Sequence, residues 1–181
     1  MKKRLTPDFE LAFDKPEENA GFLLWQTANL WQRKMKEQLD KVGITHVQFL
    51  LLNTLASFNL LVDKPITQAM LAEKSGCDKM MTSKVIRLLE ERQFVVRKPH
   101  HTDTRSLTIL ITKSGMELLQ KATPVFLEVD KLFFKPIKDK VSSQNKRFKK
   151  IIKKSEKEVE TEVKEKEKAK IIPIPPPPFD M

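Results

Sequence analysis

Lys79, Met80, Ser83, Lys84 and Arg87 fall three and four residues apart in one short stretch. On a helix that spacing places them on a single face. Their polar groups are ammonium, guanidinium and hydroxyl donors, which suit phosphate oxygens and base edges. The segment from Lys79 to Arg92 is ~20 Å long as a helix at ~1.5 Å per residue. The major groove of B-DNA, about 12 Å wide, admits such a helix. Just after it come Arg97, Lys98, His100, His101, Asp103 and Arg105, and just before it Thr67 and Gln68. The chemistry on offer is recognition of a polyanion, with double-stranded DNA as the expected partner.

The surrounding pattern supplies the elements that would hold these residues. Phe22, Trp25, Ala28, Trp31, Met35, Leu39 and Val42 recur at helical spacing, and Gly43 ends that run. Thr45 with Gln48 forms a capping-box signature for a second, largely apolar helix. Thr67 caps a short helix, Ser75-Gly76-Cys77 makes a turn, and Asp78 caps the helix that follows. Two short helices across a glycine turn make a helix-turn-helix, expected over about 67–92. In the second of them Met81, Val85, Leu88 and Leu89 are expected to face inward. Residues 94–98 and 107–112 read as two strands of a hairpin, a wing over about 94–112. Thr112 caps a helix that runs toward Phe134, and Pro136 breaks it.

The fold class expected is mainly α with a small β-hairpin, a winged helix-turn-helix flanked by N- and C-terminal dimerisation helices. Residues 1–17 read as a flexible arm and 18–155 as the folded domain. A last helix is expected to begin near Ser142. Residues 156–181, rich first in Lys and Glu and then in Pro, read as a disordered tail.

Charge is distributed in keeping with this. Residues 64–113 hold 10 basic and 5 acidic side chains, net +5, and residues 146–170 hold 11 and 6, again net +5, out of +10 for the chain. A local excess of this kind is the electrostatic footprint of a nucleic-acid partner. The composition argues against other classes. No apolar run is long enough to span a bilayer. No apolar stretch follows the basic N-terminus, so no signal peptide is expected. A single cysteine, Cys77, excludes an internal disulfide, and a cytoplasmic location is expected. With three histidines, one cysteine and no Gly-rich phosphate loop, no catalytic constellation, cofactor or metal site is expected.

The stretch Ile44 to Leu119 resembles the MarR (multiple antibiotic resistance regulator) family. The resemblance rests on Leu71-Ala72-Glu73-Lys74-Ser75-Gly76, Met80-Met81-Thr82-Ser83-Lys84-Val85, Leu88-Leu89-Glu90-Glu91-Arg92, Asp103-Thr104-Arg105 and Leu110-Ile111-Thr112-Lys113-Ser114-Gly115. With its flanking helices it covers about 18–155. It implies a homodimer with interlocking terminal helices that represses or activates at a palindromic operator, often relieved by a small aromatic or phenolic ligand. It also implies that Arg105 reaches the minor groove and Asp103 steadies the wing. The family usually has glycine where this chain has Gln93, so a positive φ is expected there. Met80 and Met81 replace small hydroxyl residues.

Other readings of single residues stand beside these. Cys77 is a redox sensor or, as favoured here, a small buried hydrophobe. His100, His101 and Asp103 make a poor chelate, because adjacent ribbon residues point to opposite faces. Trp25 and Trp31 line a ligand pocket or pack in a core or dimer interface. For the whole chain, the alternative is a winged-helix protein–protein interaction module without sequence-specific DNA binding.

Overall fold

The computed structural model describes residues 15–59, 66–99 and 107–170. The chain divides into two compact units, Met1–Phe133 and Phe134–Met181.

The first unit begins with a 3-10 turn, Pro16–Glu18, and α1, Ala20–Leu39. Asn19 caps α1 by accepting from the Phe22 amide at 2.8 Å. A second 3-10 turn, Asp40–Val42, closes on Gly43 at φ 78°, a left-handed position that favours glycine. Helix α2, His46–Ser57, starts with the expected capping box. The Gln48 amide donates to Thr45 Oγ1 at 3.2 Å, and the Thr45 amide donates to Gln48 Oε1 at 3.0 Å. Leu51, Leu52 and Leu55 of α2 are fully buried, so this is the central helix of the core. Met35 and Leu39 from α1, Ile86 and Leu89 from farther along, and Leu119 pack around it.

Strand β1, Ile66–Thr67, leads into α3, Gln68–Ser75. Gly76 at φ 68° makes the turn, and α4 spans Lys79–Glu91. Strands β2, Val95–Pro99, and β3, Leu107–Ile111, then pair antiparallel. The sheet has three strands in the order β1-β3-β2, where the sequence suggested only the hairpin. Two residues are too few to show a period, so β1 left no signal. Because β3 is central, Thr108 and Ile109 are both buried and strict alternation fails. The Thr108 hydroxyl donates to the Lys98 carbonyl at 3.1 Å.

Helix α5, Lys113–Phe134, is opened by Thr112, whose Oγ1 accepts from the Gly115 amide at 3.0 Å. Pro124 lies within the helix without ending it. Trp31 ties α1 to α5 through Nε1, which donates to Asp130 Oδ1 at 3.0 Å. The same indole meets Phe126 edge-on, and Phe126 stacks on Phe49 at 4.4 Å between centroids. Trp31 is thus half-buried against the core, whereas Trp25 is 63 % exposed.

The second unit holds a 3-10 segment, Lys135–Lys140, and α6, Val141–Lys170. Pro136 and the non-helical Ile137 separate the helical runs. The division at Phe133 therefore falls inside the single 18–155 domain expected from sequence. The tail read from 156 begins inside α6, which continues to Lys170. Lys and Glu are good helix formers, and opposite charges four apart support the helix, as between Lys154 and Glu158 at 3.8 Å. Residues 171–181 lie outside the described residues.

Candidate nucleic-acid interface

Three caps set the geometry of the helix-turn-helix. Thr67 Oγ1 accepts from the Met70 amide at 3.3 Å and starts α3. Left-handed Gly76 then lets the Cys77 amide donate back to the Ala72 carbonyl at 3.1 Å. Asp78 Oδ1 accepts from the Met80 and Met81 amides at 2.8 and 3.0 Å. That carboxylate satisfies two orphan amides and favours the positive end of the helix dipole.

Helix α4 is turned from the expected orientation. Its buried side chains are Thr82, Ile86 and Leu89. Met81 and Leu88, expected inside, are 43 % and 41 % exposed. The sequence offers two overlapping apolar stripes, and Thr82 decides between them. Its hydroxyl donates to the Asp78 carbonyl at 2.8 Å, so it is buried without losing a hydrogen bond.

The outer face is as expected. Lys79, Met80, Lys84 and Arg87 are exposed and Ser83 is half-buried, so these five share one solvent-facing surface. Met80 is the most open of the apolar side chains here, at 80 %. Thr67 and Gln68 are half-buried at the start of α3, and the Thr67 oxygen is already engaged as the cap. His100, His101, Asp103 and Arg105 lie outside the described residues. Cys77 is a half-buried free thiol packed on the core.

Arg97, read from sequence as part of the basic ribbon, faces another way. Its Nε donates to Glu90 Oε2 at 2.8 Å, its amide donates to Glu90 Oε1 at 3.3 Å, and its Nη2 also reaches Oε2. The guanidinium holds the Glu90 carboxyl below its ordinary value, and the carboxylate raises Arg97 in return. The pair bolts the C-terminal end of α4 to β2. Arg92 makes a second joint, with Nη2 donating to the Gly43 carbonyl at 3.0 Å and its guanidinium over the Phe94 ring at 4.7 Å. Between these joints Gln93 adopts φ 61°, as expected from the missing glycine. Its carbonyl accepts from the Thr112 and Ser114 hydroxyls at 2.7 and 2.8 Å. Gly115 completes the joint, because a Cβ there would lie 2.1 Å from the Phe94 carbonyl oxygen.

A groove of about 660 Å³ runs along α1, lined by Trp25, Asn29, Leu30, Arg33, Lys36 and His46 among others. His46 meets Trp31 edge-on at 6.2 Å, and burial pushes its pKa below the usual value. Among the described residues no cluster of potential metal ligands occurs, and no helix is long and apolar enough to cross a membrane.

Comparison with known proteins places this arrangement. The MarR family model matches residues 44–107. The HTH-type transcriptional regulator YdcH of Bacillus subtilis is 37 % identical over 122 residues, covering 67 % of this chain and 82 % of that protein. Among solved structures, MepR of S. aureus in complex with DNA matches with a TM-score of 0.64 at 21 % identity, over 79 % of this chain and 98 % of that one. CouR of Rhodococcus jostii bound to p-coumaroyl-CoA matches with a TM-score of 0.62 at 22 % identity, over 75 % and 92 %. The chain belongs to the MarR family of winged helix-turn-helix transcriptional regulators.

Proposed function

We propose that this chain is a homodimeric repressor that binds a palindromic operator in the cytoplasm. The observation that carries the reading is the outer face of α4, where Lys79, Lys84 and Arg87 stand exposed around Ser83. A helix that served only to pack would not need this face. In the proposed complex Lys79, Met80, Ser83, Lys84 and Arg87 meet base edges in the major groove. Exposed Met80 suits the methyl group of thymine. Thr67 and Gln68 contact the backbone beside it, and His100, His101, Asp103 and Arg105, which lie outside the described residues, are assigned to the minor groove.

Dimerisation through α1, α5 and α6 has support in exposed apolar side chains on each. Leu24 and Leu30 on α1, Leu127 and Leu132 on α5, and Ile151 and Ile152 on α6 are all exposed. Release by a small aromatic ligand has support in the α1 groove, where Trp25 offers a stacking face and Arg33 and Lys36 offer positive charge. The neighbour CouR carries an aromatic acyl thioester in its own structure.

The test is selection of bound duplexes from a random pool, followed by titration of Lys84→Ala against the selected site and a scrambled one. Loss of about 1–3 kcal/mol on the selected site, with relaxed preference at some positions, is expected if Lys84 reads a base edge. Failure of the wild-type chain to enrich any sequence, with Met80 and Leu88 instead needed to retain a protein, would favour a protein–protein module.

A further inference from the structure

Helix α6 carries a lysine row that the winged helix-turn-helix does not use. Lys146, Lys150, Lys153 and Lys157 step by four, three and four residues, and Lys149 and Lys154 flank them. All six are exposed. At ~1.5 Å per residue the four central lysines lie along ~16 Å of one helix face. Lys154 is drawn to Glu158, but among the described residues Lys146, Lys149, Lys150, Lys153 and Lys157 have no carboxylate at ion-pair distance. On the opposite side of the same helix lie Phe148, Ile152 and Val159. The apolar side suits protein packing. The lysine side cannot meet its own copy, because like charges would face each other at close range.

We propose that the lysine row of α6 is a second DNA-backbone-binding element, adding sequence-independent affinity for duplex DNA to that of α4 and the wing. The inference rests on the reading of the chain as a DNA-binding regulator. Flexible four-carbon stems let ammonium groups spaced about a helical turn apart settle on successive phosphates. Each phosphate so neutralised releases a counterion, and this favours binding regardless of base sequence. Duplex DNA is the favoured polyanion because the same chain carries a winged helix-turn-helix. A duplex held by that element is tethered to the same chain as the lysine row. Among the described residues no comparable device recruits a lipid surface or RNA.

The experiment compares the full wild-type chain with a variant carrying Lys146→Gln, Lys150→Gln, Lys153→Gln and Lys157→Gln. Glutamine keeps helix propensity, and circular dichroism checks that helicity is unchanged. Binding to a 30-base-pair duplex of scrambled sequence is followed by fluorescence anisotropy between roughly 50 and 200 mM salt. The log–log salt slope should fall by about 3–4 units for each protomer whose row meets the duplex, at about 0.9 for each phosphate no longer neutralised. Over that range one engaged row should make the wild type lose about 100-fold more affinity than the variant does. The four corresponding Lys→Arg changes should retain the wild-type slope, and the base preference found by selection should not change in either variant. An unchanged slope in the glutamine variant, with Lys84→Ala still weakening operator binding, overturns this inference alone. So does loss of binding to phosphatidylserine vesicles or to single-stranded RNA with duplex binding intact. If the wild-type chain binds no duplex at all, the reading as a DNA-binding regulator fails first.

Discussion

Replacing Gln93 with glycine acts on the one described non-glycine residue with positive φ, at 61°. A left-handed conformation costs a residue with a Cβ roughly 1–2 kcal/mol. Glycine removes that strain but makes the unfolded chain more flexible, at a cost of about 0.5–1 kcal/mol. Nothing else is lost, since the Gln93 side chain is exposed. The carbonyl that takes the Thr112 and Ser114 hydroxyls belongs to the backbone and remains. The net expectation is a gain of about 0.5–1 kcal/mol, or roughly 1–4 °C in Tm for a chain of this size. Gly76→Ala is the matched control. It sits at φ 68° with open space where a Cβ would go, so strain is its only cost, and it should lose about 1 kcal/mol. Thermal and urea unfolding at fixed protein concentration read both, because the melting of an oligomer depends on concentration. A lower Tm for Gln93→Gly with unchanged m-value would refute the strain argument and give the Gln93 side chain a stabilising role.

Three further outcomes follow from the same joint and the core beside it. Gly115→Ala should destabilise by about 3 kcal/mol, because its Cβ would meet the Phe94 carbonyl oxygen at 2.1 Å and that backbone atom cannot move aside; urea unfolding measures it. Glu90→Gln should cost about 1 kcal/mol at neutral pH by removing a charge-assisted pair whose side chains are 32 % and 30 % exposed. The Glu90 carboxyl titrates below its ordinary 4.5 in the fold, so the pair's contribution is complete above that value and lost as pH falls through the folded one; the variant's Tm should converge on the wild type's in acid. His46 titrates below its ordinary 6.5 because burial disfavours the imidazolium, so its contribution is complete above 6.5 and declines as pH falls toward the folded value; in His46→Gln the Tm should fall less between neutral and mildly acid pH.

Much of this architecture was legible because its signals are local. Thr45 and Gln48, Asp78 and the amides two and three residues on, Gly43, Gly76 and Pro136 each act within a turn of chain, so spacing alone reveals them. The outer face of α4 was legible for the same reason. What could not be read were choices settled by distant partners. Trp31 finds Asp130 across 99 residues, and nothing in the spacing of either foretells the bond. The rotation of α4 hung on whether the Thr82 hydroxyl could be satisfied in the core. The extent of α6 escapes a reading in which Lys/Glu composition stands for disorder, because those residues are also strong helix formers when opposite charges fall four apart.

The fate of the arginines shows how charge is divided around the interface. Arg92 and Arg97, with Arg87, are close in sequence and equally basic, so composition treats them alike. The fold does not. Arg97 is held by Glu90, and Arg92 by the Gly43 carbonyl and the Phe94 ring, so both are committed to fixing α4 against β2 and against the turn after α1. Arg87, Lys84 and Lys79 remain exposed on the outer face. Committed guanidiniums make poor phosphate ligands, because binding DNA would first break their existing bonds. In the proposed complex they would serve recognition indirectly, by lowering the freedom of the helix that carries the uncommitted groups, and a pre-organised helix loses less entropy on binding. Loosening the Glu90–Arg97 pair should therefore weaken operator binding by increasing the disorder of the free protein, even though neither residue need touch the duplex.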